Sequence, residues 1–319
     1  MKRAAMIMLI GIGMHLTASV SAAYPLKITG NFGITYERDT SDDEQVIDGA
    51  TYALKLLFEQ DLGSGWLAYV QLGGEYATEP WLADFSTADD AYGPDRKSVV
   101  ALDQYGLVYR TGQMVYKLGR QDAAVGKTTL LYSRANTYMG KHRFVDGLTS
   151  NGTVGNVELA AIVAQEDDPG HQINKLYAVR TGYNVSKRLN CGLTWGRYQY
   201  SNGISTGHWA VDGTYSFGKN ILTAEYAKSS SSVLNKAYAV TLTHEFDDRK
   251  SVYTTFFRVE QNGDMGGQSG FDNDSQGIYY GLSWELSKTD YLDIVYRDQK
   301  LISSGRNNNK FIATLSRYF

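Results

Sequence analysis

The chain has 319 residues, with 31 Lys and Arg against 34 Asp and Glu and a formal net charge of −3. This mildly acidic balance argues against nucleic acid as a partner, and the single cysteine, Cys191, excludes a disulfide framework within the chain. Tyr (24) and Gly (33) are abundant whereas Pro (4) is scarce, a composition that favours long strands joined by tight turns.

The first residues have the pattern of a secretory export signal. Lys2 and Arg3 precede the apolar run "AAMIMLIGIGM", and small residues follow at 21–23 in the order expected for cleavage. The apolar run is shorter than the ~20 residues that a membrane-spanning helix needs. We therefore predict a signal peptide over 1–23 and an exported mature domain over 24–319.

Apolar and polar residues alternate along most of the mature chain, with the period of two that is typical of a strand with two different faces. In "GHWAVDGTYSFG" one face carries Trp209, Val211, Tyr215 and Phe217, and the other carries His208, Asp212, Thr214 and Ser216. The same alternation recurs in "LKITGNFGITYER" and "QGIYYGLSWELS". Such segments run longer than the ~5–6 residues of a soluble strand and fit a tilted membrane-spanning strand.

We predict about sixteen strands. In chain order they span 26–38, 49–60, 66–77, 98–110, 113–121, 143–150, 154–166, 175–187, 189–200, 207–217, 220–230, 236–246, 251–261, 276–287, 290–302 and 310–319. Short turns such as "DLGSG", "TGQ" and "NGT" alternate with long polar loops such as 78–97, 122–142 and 262–275. This asymmetry is typical of membrane barrels, so the predicted fold class is all-β, a transmembrane antiparallel β-barrel.

A soluble pair of sandwiches or a propeller is the alternative all-β fold. Its strands would be shorter, and a propeller would show an internal repeat of ~40 residues. The sequence has no such repeat.

The C-terminal stretch "FIATLSRYF" places Phe311, Ala313, Leu315 and Phe319 on one face. A barrel in lipid must close its last strand on its first, because an open edge leaves backbone groups unsatisfied. Together with the export signal, the strand ladder and the loop asymmetry, this terminal Phe resembles the general porins of Gram-negative outer membranes over nearly the whole mature chain. Arg317 departs from the family pattern, which often has an aromatic residue there.

The resemblance implies an outer-membrane porin that forms a passive water-filled diffusion channel, and not an enzyme. It implies outer-membrane lipid and small hydrophilic solutes as partners, a homotrimer, no nucleic acid and no cofactor, with barrel closure at Phe319. The loop 78–97 has the position with which porin subunits latch onto a neighbour.

The stretch "GRQDAAVGKTTLLY", residues 119–132, contains a Gly-Lys-Thr triplet like the end of a phosphate-binding loop. That motif is G-x-x-x-x-G-K-[ST] between a strand and a helix, and here Gln121 stands at the position of the first Gly, so we reject a nucleotide site. The porin resemblance implies instead that this loop after strand five folds inward and narrows the channel, with an ordinary extracellular loop as the alternative. Its constriction residues are Asp122, Lys127, Arg134 and Lys141.

Charged residues on the polar face of the strands predict the rest of the channel lining. Opposed acidic and basic rows inside a low-dielectric wall produce a transverse field that sorts solutes. The alternation places the following on that face: Lys117, Arg180, Arg258, Arg297, Glu75 and Asp293 as pore-wall residues, with Lys55, Asp212 and Glu225 beside them. The inward loop of porins is acidic, whereas this loop has three bases and one acid, so we expect a weak anion preference.

A substrate-selective channel and an outer-membrane barrel enzyme are the alternative functions. A barrel lipase or protease needs a Ser–His or Asp–His set. The predicted mature chain has four histidines, and none lies in a motif with a serine nucleophile. They are His142, His171, His208 and His244. No HExxH or CxxC spacing indicates a metal centre, so we expect no catalytic, cofactor or metal residues.

Aromatic residues near the strand ends are typical of the interfacial girdles of membrane barrels. The sequence places nine there: Trp66, Tyr69, Tyr76, Trp195, Trp209, Tyr215, Trp284, Tyr291 and Tyr318. An aromatic track that stacks on sugars, as a selective pore would use, is the alternative interpretation.

Overall fold

The computed structural model describes residues 25–41, 46–83, 95–135, 139–140, 142–166 and 173–319. The predicted signal peptide, Lys141, His171 and most of the loop 78–97 lie outside these residues. Within the described residues, no helix is long and apolar enough to cross a membrane.

Sixteen long strands of the described chain form one closed antiparallel barrel, in which each strand pairs with its neighbours along the sequence. They are β1 (Lys27–Ser41), β2 (Ile47–Gly63), β3 (Trp66–Ala77), β4 (Ser98–Thr111), β5 (Met114–Gln121), β8 (Val145–Val154), β9 (Val157–Glu166), β10 (Lys175–Asn184), β11 (Leu189–Gln199), β12 (Ser205–Phe217), β13 (Asn220–Ser229), β14 (Lys236–Asp247), β15 (Lys250–Val259), β16 (Ser275–Glu285), β17 (Asp290–Leu301) and β18 (Asn308–Tyr318). Two short strands, β6 (Ala123–Val125) and β7 (Tyr132–Arg134), pair with each other, and one 3-10 turn spans Pro80–Leu82. The predicted fold class is confirmed.

The barrel closes between β1 and β18, in a register that runs from Asn31 opposite Tyr318 to Ser41 opposite Asn308. Beyond the last paired strand residue, Gly30 and Phe319 exchange two backbone hydrogen bonds of 2.9 and 3.0 Å. A Cβ on Gly30 would lie 2.5 Å from the Lys55 carbonyl oxygen and 2.8 Å from the Phe319 ring, so this position needs glycine. Phe319 therefore lies at the seam of the barrel.

The two faces of the strands differ in the way the alternation predicts. In β12 the side chains of Trp209, Val211 and Tyr215 are exposed on the outer surface, whereas His208 and Asp212 are buried inside the barrel. An apolar band on the outside with polar groups inside is the pattern of a barrel in lipid, because no backbone edge and few polar groups face the hydrocarbon.

Two local predictions were wrong. Residues 151–153, predicted as the turn "NGT", belong to β8, and the turn lies at Gly155, whose φ of +61° suits glycine. Tyr69 is not a girdle residue, since it is buried on the inner face of β3 and its hydroxyl donates to the Arg120 carbonyl. Seven of the other aromatics proposed for the girdles are exposed: Trp66, Tyr76, Trp195, Trp209, Tyr215, Trp284 and Tyr318.

Candidate pore constriction

The described residues between β5 and β8, which are 122–135, 139–140 and 142–144, lie inside the barrel; we call them the inward segment. Thr128 in this segment donates from its backbone N (2.6 Å) and from its hydroxyl (2.8 Å) to Glu225 Oε2. Glu225 is on β13, and five strands lie between β13 and β5 along the barrel wall. The segment therefore crosses the interior and contacts the wall far from the strand that it follows.

The Gly-Lys-Thr triplet has a structural explanation at this contact. Gly126 has φ +95°, a conformation that L side chains rarely adopt, and a Cβ there would collide with the Glu225 carboxylate. Glycine thus allows the backbone to turn close to the wall, so that Thr128 reaches Glu225. No phosphate-binding role is needed to account for the motif.

A buried carboxylate holds the second half of the segment. Glu166, at the end of β9, accepts hydrogen bonds from the Tyr132 hydroxyl (2.6 Å), the Tyr198 hydroxyl (2.5 Å) and Asn174 Nδ2 (3.0 Å). Its other partner is Arg134, whose Nη2 lies 3.2 Å away. Burial raises the pKa of Tyr132, so that its hydroxyl remains a donor to the carboxylate. A buried carboxylate with four partners holds this part of the segment in one conformation.

Apolar residues between these polar anchors form a core inside the barrel. Leu130 and Leu131 are fully buried with Leu176 and Tyr198, and the wall around them presents small inward residues: Ala164, Ala178, Ala210, Ala227, Ala237 and Ala239. Fully burying a leucine stabilises a fold by about 1.5–3 kcal/mol. Alanine on the inner face leaves room for these side chains, so the segment is packed against the wall.

The end of the segment is fixed to β4, at a different part of the wall from Glu225 and Glu166. Met139 is fully buried, and the Gly140 backbone N donates to Asp103 Oδ1 on β4 at 2.8 Å. Contacts with β13, β9 and β4 thus hold the segment at three places along the wall.

The proposed constriction charges are mostly neutralised. Lys117 Nζ, on β5, lies 2.9 Å from Asp122, and Lys127 Nζ lies 4.0 Å from Glu158 with a third of its side chain exposed. Arg134 is only 4% exposed and pairs with Glu166, so it does not present its charge to open water. Lys141 lies outside the described residues.

The predicted wall charges lie on the inner face of the barrel, with the exception of Arg258. Arg180 lies inside, with Asp212 at 2.6 Å and Glu158 at 3.2 Å, and Glu75 is buried on the inner face of β3. Arg297 pairs with Asp272 at 3.4 Å, and Asp293 accepts a hydrogen bond from Ser283 at 2.6 Å.

The prediction that Arg258 lines the pore was wrong. In β15 the inward side chains are Phe257 and Val259, which are fully buried, whereas Phe256 is exposed on the outside. Arg258 shares the outward parity of Phe256 and pairs with Glu260 at 3.0 Å. Two adjacent phenylalanines make the alternation ambiguous in sequence, and the predicted face was the wrong one.

A cavity of about 460 Å³ lies between the first part of the inward segment and the barrel wall. Its lining includes Lys117, Asp122, Lys127, Thr149, Asn151 and Arg180. Both signs of charge and several neutral donors therefore face this space, which suits water and small polar solutes.

Among the described residues, no group of three or more His, Cys, Asp or Glu side chains is arranged to hold a metal ion. His208 is buried and its Nε2 lies 2.8 Å from the Thr206 hydroxyl. His244 Nδ1 lies 2.9 Å from Asn220 Oδ1.

No family model matches this sequence, and no curated protein matches it. Among solved structures, the barrel is similar to a trimer form of OmpT, an outer membrane protein of Vibrio cholerae, with 12% identity over 93% of this chain and 100% of that chain and a TM-score of 0.59. It is also similar to Salmonella typhi OmpF in complex with daunomycin (15% identity, 92% and 97% coverage, TM-score 0.60). A triple mutant of Rhodopseudomonas blastica porin gives 11% identity, 93% and 100% coverage and a TM-score of 0.57. The chain has the closed sixteen-stranded barrel fold of the general porins.

Glu166 and Tyr198, which hold the inward segment, were not predicted from the sequence. A usable signal was the row of alanines on the inner face of β9 to β14, where a water-filled wall would carry polar residues. Small residues on a polar face indicate that another part of the chain packs there.

Proposed function

We propose that the protein is an outer-membrane porin that forms a passive, water-filled diffusion channel for small hydrophilic solutes and ions. The observation that carries the proposal is a closed sixteen-stranded barrel with charges of both signs on its inner face, around a segment docked inside. The outer apolar surface suits lipid, and the charged interior suits water.

Solutes would cross between the inward segment and the opposite wall without any covalent step. The constriction residues proposed for this function are Asp122, Lys127 and Lys141, with Lys117, Arg180, Arg297, Glu75 and Asp293 on the wall. Because Lys127 is paired only at 4.0 Å, whereas Lys117 and Arg180 are held by carboxylates at 2.9 and 2.6 Å, we propose that ion selectivity is weak, with a slight preference for anions.

The export signal and the similarity to outer-membrane barrels support a location in the Gram-negative outer membrane. One similar structure is described as a trimer form, which supports a homotrimer for this chain. Outer-membrane lipid would contact the exposed apolar band.

The placement of the aromatic residues favours a general channel over a sugar-selective one. Seven of the nine predicted girdle aromatics are exposed on the outside, where they do not line a path through the lumen. The arrangement of the histidines supports a non-enzymatic function, because the buried His208 contacts a threonine of its own strand.

Liposome swelling with uncharged sugars of increasing size tests this proposal. A passive channel predicts entry rates that fall steadily with solute size and do not saturate with concentration. Saturable entry of one sugar would support the selective alternative, and swelling no faster than in protein-free liposomes would refute the channel. Assay of the same sample for lipid or peptide hydrolysis tests the enzymatic alternative.

A further inference from the structure

A second loop, residues 261–274 between β15 and β16, also lies inside the barrel; we call it the second loop. It binds the inward segment through backbone hydrogen bonds at alternate residues of that segment. Gly270 N donates to the Thr129 carbonyl (2.9 Å), Met265 N donates to the Leu131 carbonyl (2.8 Å), and Ser133 N donates to the Gln268 carbonyl (2.5 Å). These three backbone bonds attach the loop to the inward segment at every second residue from Thr129 to Ser133.

The second loop is itself anchored to the barrel wall. The ring of Phe271 stacks on Phe257 at 5.1 Å and lies 5.8 Å from Tyr279, and both wall rings face inward. Asp272 binds Arg297 at 3.4 Å and also accepts a hydrogen bond from Gln299. Stacked rings of this kind contribute about 0.5–1.5 kcal/mol each beyond their buried area.

The loop also has an internal framework. The carboxylate of Asp264 accepts hydrogen bonds from the backbone N of Gly267 (3.1 Å), the backbone N of Ser269 (3.1 Å) and the side chain of Asn273 (2.9 Å). Met265, next to it, is fully buried in the same apolar core as Leu130 and Leu131. A loop with its own hydrogen bonds and a buried side chain is held in one shape.

We propose that the second loop is a second constriction element, so that the channel is narrowed by two loops docked together as one body. This inference rests on the proposed channel function and names the residues that set its size limit. The partly exposed charges are Lys127 on the inward segment and Asp272, which pairs with Arg297, on the second loop. The two loops thus supply opposite charges inside one barrel.

Removing the second loop tests its part in the size limit. Residues 263–273 are replaced with Gly-Ser-Gly-Ser, and the folded barrel is confirmed by circular dichroism and by heat-dependent mobility in gels. Because conductance follows the width and lining of the pore, the replacement should raise single-channel conductance about twofold and admit larger sugars into liposomes. A folded variant with unchanged conductance and unchanged size limit would overturn the inference.

A disulfide between the loops tests their docking even when the shortened variant does not fold. A Cβ on Gly270 would lie 3.2 Å from the Thr129 Cβ, close to the ~3.8 Å of a disulfide. The variant Thr129→Cys/Gly270→Cys, made with Cys191→Ser, should oxidise in the folded protein and keep its single-channel conductance. The control pair Thr129→Cys/Asn202→Cys should stay reduced, because Asn202 is exposed in the turn between β11 and β12.

The outcomes separate this inference from the proposed function. If the unmodified protein gives no stepwise conductance, the channel function itself fails. If it conducts and the Thr129–Gly270 pair does not oxidise, or oxidation closes the channel, the loops are separate in the conducting state and only the two-loop constriction fails.

Discussion

Arg134 of the inward segment and Glu166 of β9 form a buried ion pair, with 3.2 Å between their charged atoms and 4% and 1% of their side chains exposed. The pair joins a segment inside the barrel to the end of a wall strand. Charges removed from water in this way are stable only while both partners remain, because the cost of desolvation is offset by their mutual attraction and hydrogen bonds.

Replacing Glu166 with Gln should therefore release the inward segment while the barrel remains folded. An unpaired buried Arg134 costs about 3–5 kcal/mol, so local opening of the segment becomes more frequent even though its other contacts remain. Hydrogen exchange at Leu130 to Tyr132 should accelerate, and the single-channel current should become noisier. The matched control is Glu245→Gln, at an exposed glutamate of β14. Unchanged protection of the segment in the Glu166 variant would contradict its role as anchor.

Reversing the charge of Lys127 should shift ion selectivity towards cations. Its Nζ is 4.0 Å from Glu158 and partly exposed, so its field reaches the channel. Lys127→Glu should change the ratio of cation to anion permeability by about twofold, measured as the reversal potential in a salt gradient. Lys187→Glu, at an exposed residue between β10 and β11, is the control and should leave the potential unchanged. Clear cation selectivity of the unmodified protein would refute the proposed slight anion preference.

The second loop should dock more firmly in mild acid. Burial raises the pKa of Asp264 to about 6, against hydrogen bonds from Ser269, Gly267 and Asn273 that lower it. A raised acid pKa means that the docked loop binds the proton more tightly than the released loop does. The stabilisation is therefore fully present below the ordinary pKa near 4 and is lost as pH rises through 6.

Between pH 7.5 and pH 5 the docking equilibrium should change roughly tenfold in favour of the docked loop, since each pKa unit corresponds to about 1.4 kcal/mol. Hydrogen-exchange protection of residues 264–270, corrected for the intrinsic pH dependence of exchange, measures this change. Asp264→Asn should remove it. Protection that rises with pH in the unmodified protein would contradict the assignment.

Substitution of Gly30 at the seam of the barrel should destabilise the fold, whereas substitution of Gly33 should be tolerated. A Cβ on Gly30 would meet the Lys55 carbonyl oxygen at 2.5 Å and the Phe319 ring at 2.8 Å, whereas a Cβ on Gly33 would find only the Ser316 hydroxyl, at 3.8 Å. Gly30→Ala should cost about 1–3 kcal/mol through overpacking and lower the yield of folded barrel. Gly33→Ala should fold like the unmodified protein. The heat-dependent mobility of the barrel in gels measures both, and equal yields would contradict the need for glycine at position 30.

The strands could be predicted from sequence because lipid outside and water inside impose one alternation on every strand, and a departure such as "NGT" moved a turn by only a few residues. Arg258 was assigned to the wrong face because Phe256 and Phe257 are adjacent and either one satisfies the apolar side. Glu166 and the second loop were missed because their roles depend on contacts between residues far apart in sequence. Met265 and Phe271, two large apolar residues in a polar Gly-rich loop, were the local signal that the loop is buried.

Stepwise single-channel conductance of the refolded protein in a planar lipid bilayer tests the central claim most directly. The proposed porin predicts discrete, long-lived current steps whose size grows with salt concentration, in groups of three if the homotrimer inserts as one unit. A folded barrel that inserts into the bilayer and produces no current steps would contradict the channel function.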